Sequence, residues 1–186
     1  MLLETKSLWL KTTEMQDAEK LHANYFTDFN TSQAMLWKPS VSEQDTEKKL
    51  KLMFQTKDSI FFTIIKKDNK EPIGMLSITK NKNDDKIIDN IGFGFASGET
   101  YKGYGLEVLL MAVEFCFFKL MVNEVNVSYL KNIGVSSNLQ NMFGFEISEK
   151  GENEIKRKHT NEKLEVVNLT LSKEKWQMQK QKLGIN

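Results

Sequence analysis

The sequence predicts a single α/β domain, a mixed sheet packed around one buried apolar helix, and three features of the chain predict it. Its middle, from Ile60 to Ala96, reads as consecutive strands separated by polar turns. An apolar helical stretch from about Leu106 to Leu120 follows at once. Beyond it strand and helix signals alternate, the arrangement that layers helices on a sheet. A length of 186 residues suits one domain, 1–186, with a sizeable core.

The elements follow in order. Leu8-Trp9-Leu10 is a short apolar strand, and Thr12-Thr13-Glu14 offers capping oxygens to a helix over about Met15 to Tyr25, with Ala18, Leu21 and Tyr25 on one face. Asn30 to Ser40 is polar, holds Trp37 and Pro39, and reads as a loop or a broken helix. Ser40 or Ser42 caps a helix in which Leu50, Met53 and Phe54 recur at helical spacing. Ile60 to Ile65, Ile73 to Ile78 and Ile87 to Ala96 are rich in β-branched and aromatic residues and form an antiparallel meander. After the apolar helix come a strand at Val125 to Leu130, a short helix at Val135 to Phe143, and strands at Phe145 to Lys150 and Leu164 to Leu171. The tail Gln177 to Leu183 either supports a dimer contact or frays, which leaves monomer and homodimer both open.

Composition excludes several classes of function. Lys plus Arg (26) nearly balances Asp plus Glu (25), so no basic excess recommends nucleic acid as a partner. Cys116 is the single cysteine, and His22 and His159 are the only histidines, which argues against disulfides and metal centres. Cys116 stands among Phe115, Phe117 and Phe118 and is expected to be a packing residue. The window Leu106 to Leu120 is broken by Glu107, Glu114 and Lys119 and is shorter than the roughly 20 residues that span a bilayer. The start Met1-Leu2-Leu3-Glu4 lacks the basic and apolar regions of a signal peptide, so a cytoplasmic protein without membrane contact is expected.

The most informative stretch is Gly98-Glu99-Thr100-Tyr101-Lys102-Gly103-Tyr104-Gly105-Leu106-Glu107. Here a strand feeds a glycine-bearing turn that opens into a helix. Two glycines one residue apart let successive backbone N–H groups bend toward one point. The helix N-terminus adds about half a positive charge, and Lys102 adds a full one at the rim. Together these favour an anion such as a pyrophosphate. Gly98 and Gly103 have P-loop spacing, but Tyr104-Gly105 follows where Lys-Ser or Lys-Thr is needed. A dinucleotide fingerprint would need glycine at Val108. Gly-x-Gly alone also describes a tight turn with no ligand, so its surroundings must decide.

Those surroundings resemble a known family. Tyr101 to Leu109 resembles the acetyl-CoA loop of the GNAT acetyltransferases, most closely the RimJ/RimL-like ribosomal-protein N-acetyltransferase branch. Lys102, Gly103, Tyr104 and Glu107 fall on matching positions, and Gly105 replaces an alanine that the family also accepts as glycine. The likeness runs along the chain. Leu8-Trp9-Leu10 with Gln16-Asp17-Ala18, Pro72-Ile73-Gly74, Ile91-Gly92-Phe93, Asn132 and Ser136, Gly144-Phe145, and Val166 to Trp176 follow in the branch's order.

The resemblance implies a GNAT fold and direct acetyl transfer from acetyl-CoA, without a metal, to a primary amine: a protein N-terminus, a polyamine or another small amine. The pyrophosphate would sit on the amides of Lys102, Gly103, Tyr104, Gly105 and Leu106, with Asn132 nearby. The pantetheine arm would pair with Phe93, Phe95 and Ala96, and an N–H near Phe95 would polarise the thioester oxygen. An α-amine with a pKa of about 7.7 is roughly one-sixth neutral at pH 7, whereas lysine at about 10.4 is below about 0.1% neutral. N-terminal acetylation therefore asks less of a base; Asp89, Glu152 and Glu154 are the candidates. The family's usual acid, a tyrosine, falls at Gln140. The branch's serine falls at Ser136, which serves equally as a helix cap, while Asn132 lies one residue too far upstream. Trp37, Tyr25 and Phe29 line an acceptor pocket or simply pack the core. The different-class alternative is a GNAT-fold module that binds CoA without catalysis.

Overall fold

The computed structural model describes residues 1–35, 37–100, 102–131, 139–157 and 161–184. The chain groups into two compact units, Met1–Thr79 with Gly92–Ala112, and Lys80–Ile91 with Val113–Asn186.

The first unit opens with β1 (Leu2–Glu4) and β2 (Leu8–Thr12), continued by β3 (Ser59–Lys66) and β4 (Pro72–Lys80). They pair antiparallel, with Leu3 opposite Leu10, Leu10 opposite Ile64, and Ile64 opposite Gly74. Leu8, Leu10, Phe62, Ile64, Leu76 and Ile78 are fully buried, the mark of strands whose apolar positions recur every second residue. β1 extends the prediction by only three residues.

The predicted first helix is built from three windings: a 3₁₀ turn at Met15–Asp17, α1 (Ala18–Leu21), and a π turn at His22–Phe26. A capping box joins Glu14 and Asp17 at its start. The stretch expected as a loop or broken helix holds α2 (Phe29–Met35). Its physical origin is Asp28, whose Oδ1 accepts the Thr31 N–H at 3.0 Å and so occupies an orphan amide of the first turn. Of the two predicted caps it is Ser42 that starts α3 (Glu43–Phe54), its hydroxyl accepting the Asp45 N–H at 3.2 Å. Ala18, Leu21, Tyr25, Phe26, Leu50 and Met75 form a core that Met15, Trp37, Met53 and Phe61 flank.

β5 (Ile87–Phe95) and α4 (Tyr104–Phe118) each contribute residues to both units. α4 begins two residues earlier than predicted, and Val108, Leu109, Ala112, Val113, Cys116 and Phe117 along it are buried. In the second unit the start of β5 runs parallel to β6 (Glu124–Leu130) through only two pairs, Ile87 with Glu124 and Ile88 with Val125. Asparagines then substitute for ladder bonds: Asn126 Nδ2 donates to the Ile88 carbonyl at 3.0 Å, and Asn90 Oδ1 accepts the Ser128 N–H at 3.1 Å. β6 pairs antiparallel with β8 (Lys163–Ser172), and β8 with β7 (Glu146–Lys156), a longer strand than predicted, which bulges between Ile147 and Glu152. The full hydrogen-bonded order is β1-β2-β3-β4-β5-β6-β8-β7.

The tail Gln177 to Leu183 is helical. Residues 173–183 form α5 (Lys173–Leu183), capped by Ser172 at one end and by left-handed Gly184 at the other. Trp176 anchors it: the ring is buried, stacks on Phe143 at 5.6 Å, and donates Nε1–H to Glu114 at 2.6 Å.

Candidate active site

The end of β5 is held from two directions. On one edge the Ala96 N–H donates to the Ile73 carbonyl of β4 at 2.8 Å. Because successive residues of a strand direct their polar groups to opposite edges, the N–H groups of Phe93 and Phe95 face the other way. Two observations agree: the Gly92 carbonyl accepts the Ser77 hydroxyl of β4, whereas the Phe95 carbonyl accepts Thr31 Oγ1 at 2.8 Å. Ala96 therefore has no spare N–H for a ligand; Phe95 offers one on the far edge.

Thr31 belongs to a clamp. Asp28 accepts the Thr31 N–H through Oδ1 and the Ser97 N–H through Oδ2, the latter at 2.7 Å. Burial opposes the charge on Asp28, but these amide bonds outweigh it and hold the carboxyl below its usual range. One acid and one hydroxyl thus fasten the start of α2 to residues 95–97, where the strand turns into the glycine loop. Sequence reading missed this pair; the Asp-x-x-Thr spacing before a helix was the available signal.

Beyond the clamp a 3₁₀ turn, Ser97–Glu99, leads to Gly103, whose φ of +88° favours glycine strongly. A Cβ built on Gly103 would meet nothing within 4 Å, so the surface over the first turn of α4 is open. The first amides of a helix have no partner within it, and of those in α4 the Leu106 N–H turns back to the Gly103 carbonyl at 3.2 Å. At Gly105 the added atom would touch Phe93 at 3.5 Å and Phe95 at 4.0 Å, which seats the helix on the side chains of β5. Lys102 reaches Glu99 at 3.0 Å, and Lys66 reaches the same carboxylate at 3.6 Å, so the loop's charge is partly neutralised. Glu107, in the same first turn, is half-buried. Its Oε2 accepts Thr5 Oγ1 at 2.6 Å and the Ser7 N–H at 2.9 Å, tying α4 to the β1–β2 turn. Burial works against its charge, but these bonds prevail and hold its carboxyl low.

Strand end, left-handed glycine and helix N-terminus together make a cradle suited to an anionic, extended ligand. The acetyltransferase (GNAT) domain matches residues 7–146, which carry this whole cradle. The chain belongs to the GNAT family. Solved GNAT structures share its fold, a mixed eight-stranded sheet flanked by helices. A Bacillus anthracis GNAT acetyltransferase, 18% identical, aligns over 94% of this chain and 99% of its own with a TM-score of 0.74. A Brucella melitensis GNAT enzyme, 16% identical, aligns over 97% and 82% with a TM-score of 0.78. FdhC, a nucleotide-linked sugar GNAT, is 15% identical over 100% and 97%, with a TM-score of 0.74. A Vibrio cholerae protein provisionally assigned as a ribosomal-protein-serine acetyltransferase is 18% identical over 92% and 97%, with a TM-score of 0.71. No curated protein matches the sequence.

GNAT acetyltransferases use acetyl-CoA as co-substrate, and the cradle fits it: open space above Gly103 at the N-terminus of α4 suits a pyrophosphate, and the outward edge at Phe93 and Phe95 suits a pantetheine amide. Asn132 and Ser136 lie outside the described residues. Glu152 and Glu154 stand on β7 with exposed side chains, each paired with a lysine, Lys131 at 2.6 Å and Lys163 at 2.9 Å. Asp89 accepts Asn81 Nδ2 at 2.7 Å and closes the preceding turn. Trp37 and Tyr25 pack edge to face, 5.1 Å apart, whereas Phe29 is exposed. Cys116 is buried, and burial pushes its thiol up to about 12, well away from a nucleophile's range. Among the described residues no cluster of acids, histidines or cysteines could hold a metal, and no helix is long and apolar enough to cross a membrane.

Proposed function

We propose that this chain transfers the acetyl group of acetyl-CoA directly to a primary amine, in the manner of the RimJ/RimL-like branch. The observation that carries the reading is the cradle itself: the pinned end of β5, Gly103 at φ +88° and the open first turn of α4, within a GNAT domain. Pyrophosphate rests on the amides of residues 102–105, the Leu106 N–H being taken by the Gly103 carbonyl, and the pantetheine arm lies along the outward edge of β5 from Phe93. The neutral amine attacks the thioester carbon, and the Phe95 N–H receives the oxygen as it gains charge. The carbonyl then re-forms as the C–S bond breaks and its electron pair leaves on sulfur. Ser136 gives the thiolate its hydrogen bond, and Asn132 steadies the cofactor. Glu152 or Glu154 takes the amine's proton, once the amine displaces the lysine that holds it.

The acceptor is an α-amine of a protein N-terminus, a polyamine or a similar small amine, met in the cytoplasm by a monomer or homodimer. The two relatives named for acceptors, one for a nucleotide-linked sugar and one for a ribosomal protein, support the fold's breadth and favour neither. The non-catalytic reading draws on Gln140, which stands where many GNAT enzymes carry a tyrosine. Calorimetric titration with acetyl-CoA decides first. Binding in the micromolar range, abolished by Gly103→Glu, is the expected result. A folded protein that binds no acetyl-CoA refutes the proposal, and binding without turnover on a panel of N-terminal peptides and polyamines selects the silent module.

A further inference from the structure

Tyr25 is fully buried, and its hydroxyl has no hydrogen-bond partner among the described residues. Buried hydroxyls are nearly always paired, because losing water without gaining a partner costs stability. The position of this one is specific. A Cβ built on Gly94 would lie 2.9 Å from Tyr25 Oη and 2.6 Å from the sulfur of Met35. Only a glycine at 94 lets the hydroxyl rest on the face of β5. The next residue, Phe95, turns its N–H to the strand's free edge, and Thr31 and Asp28 fasten the same few residues.

Resting on the acetyl-CoA reading above, we propose that the Tyr25 hydroxyl touches substrate, donating a hydrogen bond to the acetyl carbonyl oxygen brought to Gly94 and Phe95. The Phe95 N–H approaches that oxygen from the strand edge and Tyr25 from the strand face, so two donors meet the charge that develops there. No proton is transferred. Burial first, and the nearby Asp28 carboxylate second, hold the phenol well above its usual range, so it stays an O–H donor at every working pH. Met35 is the part that yields as the acetyl group arrives, since its unbranched thioether chain repacks easily. The aromatic contacts of Tyr25 with Phe26 at 5.3 Å and Trp37 at 5.1 Å fix the ring while Met35 moves.

The test uses the full chain with Tyr25→Phe, which keeps the ring and removes only the oxygen. Melting temperature and the dissociation constants of acetyl-CoA and of CoA are measured for both proteins. The expected result is a melting temperature unchanged within about 2 °C or raised. The preference for acetyl-CoA over CoA then drops about three- to tenfold, the effect of one hydrogen bond to the acetyl oxygen. An unchanged preference overturns the proposal. So does a large fall in melting temperature with both ligands weakened alike, which would make the hydroxyl structural. If the unaltered protein binds neither ligand, the acetyl-CoA reading itself fails, a result distinct from either of these.

Discussion

Single residues at the end of β5 show how side-chain chemistry fixes backbone geometry. Gly74 has an ordinary φ yet is confined to glycine, because a Cβ there would meet the Gly94 carbonyl oxygen at 2.2 Å. Gly94 in turn makes room for Tyr25 and Met35, and Gly103 holds a left-handed turn, so three glycines serve three different needs. Thr31 is buried and its hydroxyl satisfies the Phe95 carbonyl. Thr31→Val keeps its shape but leaves that carbonyl unpaired, and should cost about 1–2 kcal/mol in urea denaturation. Acetyl-CoA affinity should weaken severalfold with it, because Phe95 loses its hold, and Thr31→Ser should restore both. Equal affinity in the valine variant would show that Phe95 needs no such fastening.

At the scale of elements, two carboxylates join segments distant in sequence: Asp28 links the start of α2 to the glycine loop, and Glu107 links α4 to the β1–β2 turn. Both folded carboxyls lie below their ordinary values of 3.8 and 4.5, so protonation favours the unfolded chain. Their contribution is complete above about pH 4.5 and is lost as pH falls through the lowered folded values. Denaturant midpoints should therefore decline from about pH 5 toward pH 3. Glu107→Gln should be less stable at pH 7 by about 1–2 kcal/mol and should show a shallower acid decline. A variant with the same acid profile as the parent would remove Glu107 from this account.

For the whole molecule the question is which amine it serves. The net charge of +1 gives no long-range field to steer either a cationic or an acidic acceptor, so selection rests on local groups. The acceptor must lose a proton before attack, and kcat/KM should rise with pH through the acceptor's own pKa, about 7.7 for an α-amine. Measured on a peptide that carries one α-amine and one lysine, acetylation at pH 7 should fall overwhelmingly on the α-amine. Preferential lysine acetylation would count against Glu152 and Glu154, the exposed, lysine-paired carboxylates proposed as the base.

By itself the sequence determined the order of elements, the apolar helix and the glycine loop, because periodicity, capping and turn chemistry act between near neighbours. Ile60 to Ile65, Leu106 to Leu120 and Gly103-Tyr104-Gly105 needed no partners to be read. It also led to the GNAT resemblance that the family match upholds. What only the tertiary structure decided is which groups meet. Asn30 to Ser40 hid α2, whose cap is a polar side chain that also grips Ser97, a residue 69 positions away. The tail became α5 because Trp176 found Phe143 and Glu114. The hydroxyl of Tyr25 rests on β5 only because Gly94 lacks a side chain there. Such pairings depend on distances between chain segments, and no local pattern of residues encodes them.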